Sequence, residues 1–512
     1  MNAAFEPADV QGNIVRGYRM PRARYLLLEV ADAIKARSWL EATVSGRNNG
    51  VPQITTEARW TPTPGSTKPE TCFNIGLTYE GLRALGTPAD SLASFPTEFI
   101  EGMNARALKL GDAGPSAPEH WPAPFNDPKK LHIVATIYAR DMAEKEAVAL
   151  LNVVQQRALA DGSGLRLLGV RDGAGLPVEQ AVAQDAVQQR ALADGSGLRP
   201  LGVRDGAGFD RDYVHFGYRD NLTQPRFREV PDPKRGKDGQ PMAPLGTVLL
   251  GYPTNFEGLL FKIPDPQPLG MNGSFNAFRV LAQDVAGFEA YLSTAADYLL
   301  GHPKVNELLA PGAEAKIGGG LTRHAALREV VAANMCGRWR NGVPVALSPD
   351  TPNPSPPVDM TDFDYPSNSR CPYGAHIRRS NPRGGQIVQR VANNSRRLIR
   401  RGLPYGPAYD PAKPDAVERG LLGNFIGANL GAQFEAMMCD WLNLGLQDPR
   451  VTGSNDALTG ANDPATSWFD IPLKSGATIR LRGLPRFVRT RGGAYTFLPS
   501  IPAIKYLAAL TG

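Results

Sequence analysis

Apolar and polar residues alternate along the first third of the chain in a strand-then-helix rhythm. Residues 25–30, Tyr-Leu-Leu-Leu-Glu-Val, predict a strand, and residues 31–43 carry apolar positions at helical spacing. Residues 72–77 predict a second strand, followed by a short helix over 78–85, and residues 131–139 a third strand. Within 142–160, Ala147, Leu150, Leu151 and Val154 share one helical face. The rhythm returns later. Residues 274–282 predict a strand, 285–299 a helix, and 328–334 a helical segment. Residues 418–443 predict helix over at least the second half, and 487–498 a late strand or hairpin. Pro, Asp, Ser and Asn crowd 349–372, which predicts a long ordered loop, with shorter loops at 61–69 and 111–128. These periods support an α+β class and leave topology open.

A near-perfect internal repeat interrupts the pattern. Residues 154–175 match 187–208 at a shift of 33, with only Leu167 against Pro200 differing. Solenoid repeats come in threes or more and diverge, so two such copies read as a tandem duplication inside one domain. One copy suffices for a fold. The second is expected to take the native place, because it leads into Phe209 and the segment around Asp220.

Composition narrows the class without naming a function. The 512 residues can bury a large core; hydrophobic content of 42% and charged content of 21% are ordinary for a globular protein. The 45 prolines and 54 glycines imply many loops. A net charge of +6 favours anionic partners in general without choosing among them. Cys72, Cys336, Cys371 and Cys439 are widely spaced, with no C-x-x-C pair, so neither a zinc site nor a disulfide framework is indicated. Scattered cysteines, no leader peptide and no apolar run of membrane-spanning length give a cytoplasmic expectation with no membrane span.

Three stretches carry candidate chemistry. In Cys371-Pro372-Tyr373-Gly374-Ala375-His376-Ile377-Arg378-Arg379-Ser380-Asn381-Pro382-Arg383, one histidine lies between small residues and a group of arginines. Small neighbours let a flat ligand approach the imidazole, and an imidazole is what a haem iron takes on its proximal side. The same stretch also reads as a satisfied histidine in a basic loop. In His215-Phe216-Gly217-Tyr218-Arg219-Asp220-Asn221-Leu222-Thr223-Gln224-Pro225, Asp220 is either a turn aspartate or a carboxylate able to move a peroxide proton. In Arg396-Arg397-Leu398-Ile399-Arg400-Arg401-Gly402, guanidinium groups read as stabilisers of negative charge, as a solvated strand end, or as a nucleic-acid patch. The last of these lacks interleaved aromatics or a nucleic-acid motif, so no nucleic-acid partner is expected.

Taken together the stretches resemble the dye-decolorizing peroxidases, most closely the longer branch that includes fungal secreted enzymes and bacterial relatives. Further matches are Asp9-Val10-Gln11-Gly12-Asn13, the segment 95–112, Arg419-Gly420-Leu421-Leu422, Gln433-Phe434-Glu435, and 487–500 with Arg491-Gly492-Gly493-Ala494-Tyr495. The resemblance implies two ferredoxin-like units of the dimeric α+β barrel type, with antiparallel sheets and peripheral helices. Their expected bounds are 1–240, holding the duplication and the Asp220 loop, and 241–512, holding haem. It implies haem b as cofactor, hydrogen peroxide as oxidant and dyes or phenols as reductants. His376 becomes the axial ligand, Asp220 the distal acid–base group and Arg400 the charge stabiliser, since Arg400 stands two residues before Gly402. Arg378 or Arg383 becomes a propionate contact, and Leu421 a pocket residue. Asp456 becomes a partner of His376, or else an ordinary capping or turn aspartate.

The family's G-x-x-D-G signature fits Gly169 to Gly173 and Gly202 to Gly206 letter for letter, yet only Asp220 has Phe216 before it and Gln224-Pro225 after it. Asp172 and Asp205 are therefore read as turn residues. Two departures stand out: Asn221 replaces a glycine, and Gly423 replaces an aromatic, which implies a widened distal pocket. They leave a second expectation, a haem carrier or sensor with weak peroxidase activity. Tyr218, Tyr405 and Trp441 are read as packing aromatics rather than electron relays.

Overall fold

The computed structural model describes residues 5–47, 50–60, 68–160, 162–173, 212–230, 242–256, 258–365, 370–384 and 390–511. Its strands are β1 (Arg22–Val30), β2 (Thr71–Leu77), β3 (Ile133–Ala139), β4 (Leu165–Gly173), β5 (Ser274–Gln283), β6 (Ile399–Tyr405), β7 (Gly420–Gly427), β8 (Trp468–Pro472), β9 (Thr478–Arg482) and β10 (Val488–Leu498). Eight of them form one antiparallel sheet in the order β4-β1-β3-β2-β10-β5-β7-β6, and β8 and β9 pair separately. The two halves of the sheet join where Phe497 of β10 faces Leu77 of β2.

The sheet curls so that its ends approach. A Cβ placed on Gly173 of β4 would stand 2.9 Å from Leu403 Cβ of β6. Across the interior, Asn424 Nδ2 of β7 donates to Tyr25 OH of β1 at 3.0 Å, and Tyr25 stacks on Phe278 of β5 at 5.1 Å. Strand β3, Ile-Val-Ala-Thr-Ile-Tyr-Ala, is buried along its whole length because both of its faces are covered. The helices flank the sheet and start where the sequence supplies caps. Asp32 accepts from Lys35 N before helix Ala33–Val44, Asp284 from Gly287 N before Val285–Leu300, and Thr322 from Ala325 N before Arg323–Cys336. The last of these ends at Gly337, whose φ of 87° is the left-handed cap that glycine adopts at least cost. Helices Val285–Leu300 and Arg323–Cys336 pack on each other, and with Phe216, Tyr218 and Phe487 they form a second apolar core beside the barrel.

Residues 418–443 wind over their second half, as expected, in the π-helical segments Leu430–Glu435 and Met437–Asn443, while Gly420–Gly427 is strand β7. Two expectations are corrected. Asp172 is not a turn residue. It lies on β4, where both its oxygens accept from Arg24 of β1, at 2.7 and 2.9 Å. The copy of the repeat seated in the sheet is the first, against the expectation that the second would take that place; the second copy and Asp205 lie outside the described residues.

One buried ion pair links the connection between β2 and β3 to strand β5. Arg279 of β5 reaches both carboxylate oxygens of Asp112 at 2.7 Å, and both residues are almost fully buried. Asp112→Ala leaves a buried guanidinium whose remaining hydrogen bonds, among the described residues, go to Thr490 Oγ1 and the Met103 sulfur. The expected cost is about 3–5 kcal/mol of unfolding free energy, read as a lower denaturant midpoint.

Candidate active site

A cavity of about 350 Å³ opens where β5, β6, β7, the His376 helix, the π-helical segments and the loop around Asp220 meet. His376 is the first residue of the short helix His376–Ser380, and its imidazole lines this cavity. Nδ1 stands 3.2 Å from both oxygens of Asp456, which directs Nε2 away from that carboxylate. Asp456 is fully buried and its Oδ1 also accepts from Leu458 N, Thr459 N and Thr459 Oγ1, so the carboxylate is held from behind. Burial pushes the imidazole pKa down, but the charge of Asp456 and its hydrogen bond outweigh it, and the net shift is upward. Burial raises the Asp456 carboxyl, and the charge of His376 with its hydrogen bond more than reverses that, leaving it low.

Asp220 and Arg400 line the same cavity, with Arg400 Nη1 3.9 Å from Asp220 Oδ1. The Asp220 loop is pinned by its backbone: Asp220 N donates to Asp212 O at 2.6 Å and Arg219 N to Arg340 O at 2.9 Å. Arg400 is placed by β6 and fastened through Nη2 to Thr223 O at 2.7 Å. Its neighbour Arg401 is tied elsewhere, with Nε on Asn13 O at 2.8 Å and Nη2 on Ile14 O at 3.1 Å. Alternation along a strand separates the two arginines, one toward Asp220 and one toward the N-terminal segment.

Both departures noted in the sequence resolve in favour of a working site. Asn221 has φ of 57°, the left-handed conformation asparagine tolerates, and it is exposed rather than part of the cavity wall. Gly423 does not widen the pocket. A Cβ there would stand 2.7 Å from Phe425 Cε2, so the Phe425 ring, two residues along the same strand face, already covers that space.

The wall divides by chemistry. Leu398, Leu421, Phe425, Phe434, Met437, Met438 and Leu442 supply an apolar surface. Arg338, Arg383, Arg397 and Arg400 supply positive charge. Arg397 is held down to about 10, first by burial and then by the charges of Arg383 and Arg400, and Arg338 is also lowered, chiefly by burial. Among the described residues the Nε of Arg383 and the hydroxyl of Tyr365 are buried with no hydrogen-bond partner. Arg378 is not part of this wall. It is buried between the rings of Tyr365 and Tyr373, at 4.7 and 3.9 Å, and donates to Cys371 O at 2.6 Å, so its expected ligand contact is replaced by a structural one.

Residues 9–159 match the family model described as the DyP dimeric alpha+beta barrel domain. The chain is 27% identical to the dye-decolorizing peroxidase of Mycena epipterygia, over 99% of this chain and 88% of that one. It is also 27% identical to a multifunctional dye peroxidase from Amycolatopsis sp., over 98% of this chain and 95% of that one. A solved dye-decolorizing peroxidase in complex with 2,6-dimethoxyphenol superposes with a TM-score of 0.73, at 25% identity, over 99% of this chain and 100% of that one. Along almost its whole length the chain is similar to dye-decolorizing peroxidases.

Sequence reasoning missed much of the cavity wall. Arg397 was inside a quoted basic stretch, three residues before Arg400, and its burial was the missing information. Arg338 follows the cap glycine of a helix, and Tyr365 lies in a proline-rich loop; neither position carries a local signal. Tyr218 and Trp441 are buried, Tyr218 donating to Ala332 O at 2.8 Å, and Tyr405 donates to Glu418.

Proposed function

We propose that this chain is a haem b peroxidase that reduces hydrogen peroxide and oxidises dyes or phenolic compounds in one-electron steps. The observation that carries the reading is that one cavity gathers His376, its Nδ1 committed to a buried carboxylate, together with the Asp220–Arg400 pair. The names of its relatives point the same way. The haem fits what lines the cavity. The apolar wall suits a flat macrocycle, and the four arginines, with the unpartnered Arg383 Nε and Tyr365 hydroxyl, suit its two carboxylates. Bound there, haem supplies an iron that reacts with peroxide and relays its oxidising equivalents to reductants.

The residues have distinct tasks in this reading. His376 Nε2 would hold the iron, and Asp456 fixes the tautomer and raises the basicity of the imidazole. Asp220 takes a proton from one peroxide oxygen and returns it to the leaving oxygen, which departs as water. Arg400 stabilises the negative charge that develops as the O–O bond breaks. Arg383, Arg397 and Arg338 would anchor the carboxylates, and Leu421 would offer apolar surface to the macrocycle. The reading divides the chain at about residue 240, with β1 to β4 before that point and β5 to β10 after it. Cys72, Cys336, Cys371 and Cys439 form no disulfide with one another, which supports a cytoplasmic placement.

The test is a stopped-flow absorption experiment on the haem-loaded protein. Peroxide is expected to displace the Soret band quickly, and added dye to restore it. A Soret band unmoved by peroxide would leave only the haem carrier or sensor. The carboxylate contacts have their own test. Haem dimethyl ester is expected to bind about 10- to 100-fold more weakly than haem, the equivalent of one charge-assisted hydrogen bond. Equal affinities in a titration would show that the arginine cluster does not serve the carboxylates.

A further inference from the structure

We infer that Met437 and Met438 are oxygen-accepting sites, which the cavity converts to sulfoxides when peroxide is present and reductant is not. The inference rests on the peroxidase reading and goes beyond it. Both thioethers line the cavity from the second π-helical segment, and both are only half-buried. They share the wall of that cavity with Asp220 and Arg400, from a segment that packs against the His376 helix.

The other oxidisable groups on that wall are poorly placed to take the same equivalents. Among the described residues no tryptophan lines the cavity. Cys336 lines it, but burial pushes its thiol up to about 12, and the thiolate is the reactive form. Tyr218 donates to the carbonyl of Ala332, which cannot accept a proton outright. Among the described residues the Tyr365 hydroxyl has no hydrogen-bond partner, and burial first, then the Cys371 charge, raises its pKa. A phenol that loses an electron must also lose its proton, so a phenol without a base holds its electron more tightly.

A thioether has no such requirement. In the step R₂S + H₂O₂ → R₂S=O + H₂O, the O–O bond breaks and an S–O bond forms. Sulfur loses two electrons, peroxide gains them, and both peroxide protons leave in the water. No base is needed at the sulfur, and the change turns an apolar, flexible side chain into a polar one. A polar group at Met437 or Met438 would sit beside Phe434 and Leu442, on the wall that holds the ligand. Oxidation there is a route to self-inactivation once reductant is exhausted.

The experiment is peptide mass mapping of the haem-loaded protein after peroxide treatment without dye. Met437 and Met438 are expected to gain one oxygen each well before Met142 and Met242, which are half-buried away from the cavity and report bulk peroxide. Dye added with the peroxide is expected to suppress the gain. Asp220→Ala is expected to abolish it at Met437 and Met438 while leaving Met142 and Met242 unchanged. The double substitution M437L/M438L is expected to raise several-fold the number of dye turnovers before inactivation; the mapping on unsubstituted protein does not depend on that variant folding. Dye oxidation with Met437 and Met438 unmodified, or modified only in step with Met142, would overturn the inference and leave the peroxidase reading intact. Absence of dye oxidation altogether would remove the peroxidase reading, and the inference with it.

Discussion

Asp220→Ala is expected to slow peroxide consumption by about 10²- to 10⁴-fold, the usual contribution of a positioned acid–base group, while the haem stays bound. The loop should survive the change. It is held by the hydrogen bonds of Asp220 N and Arg219 N, and by an Arg340 side chain that donates to Phe216 O. Among the described residues the carboxylate accepts no hydrogen bond and lies 3.9 Å from Arg400, so its removal breaks little structure. Asp172→Ala is the control. Asp172 matches the signature letter for letter, but its carboxylate is spent on Arg24 in the sheet, so peroxide turnover should not change. Steady-state rates with a dye as reductant check both variants. Equal rates for Asp220→Ala and the parent would assign the proton transfer to another group, and a loss in Asp172→Ala would mean that the signature had been assigned to the wrong copy.

Much of the fold was legible because its strands and helices obey clean periods. Residues 25–30, 72–77, 274–282 and 285–299 each lie inside the observed element, and aspartate or threonine caps mark several helix starts. Strand β7 was hidden because Gly420-Leu421-Leu422-Gly423-Asn424-Phe425-Ile426-Gly427 runs into a helix without a turn signal, and its glycines mark close approach rather than a break. At Gly420, a Cβ would fall against the Leu281 carbonyl of β5. The site was legible where function imposes local grammar: a histidine after small residues, an aspartate in a glycine-aromatic turn, an arginine before a strand glycine. It was not legible where the wall is assembled by topology. Arg338, Tyr365 and Met437 come from a helix end, a loop and a π-helix, and only folding brings them together. Phe425 illustrates the limit. A ring missing at position 423 is replaced by one two residues later, a compensation that depends on side chains of the same strand face being neighbours.

His376→Ala is expected to give a folded protein that no longer shows a histidine-ligated haem spectrum, and Asp456→Asn a protein that binds haem about 10- to 100-fold more weakly. The two variants separate holding the iron from aiming the ligand. His376 contributes little to the fold besides its bond to Asp456, and its helix is only five residues long, so alanine at its first position is tolerable. Asp456→Asn preserves shape but replaces one carboxylate oxygen by an amide nitrogen. If that NH₂ faces Nδ1, the imidazole must offer its lone pair there and carry its proton on Nε2, the wrong tautomer for a metal ligand. If the amide oxygen faces Nδ1, the hydrogen bond survives without the negative charge that now outweighs burial and keeps the imidazole basic. In both cases the acceptor to which Leu458 N and Thr459 N donate is weakened, so a modest loss of stability should accompany the loss of affinity. Haem titration followed in the Soret region, with unfolding measured on the same samples, distinguishes the two effects. A full loss of affinity in Asp456→Asn with unchanged stability would mean that the carboxylate acts on the iron through charge alone; unchanged affinity would reduce Asp456 to the cap of its own loop.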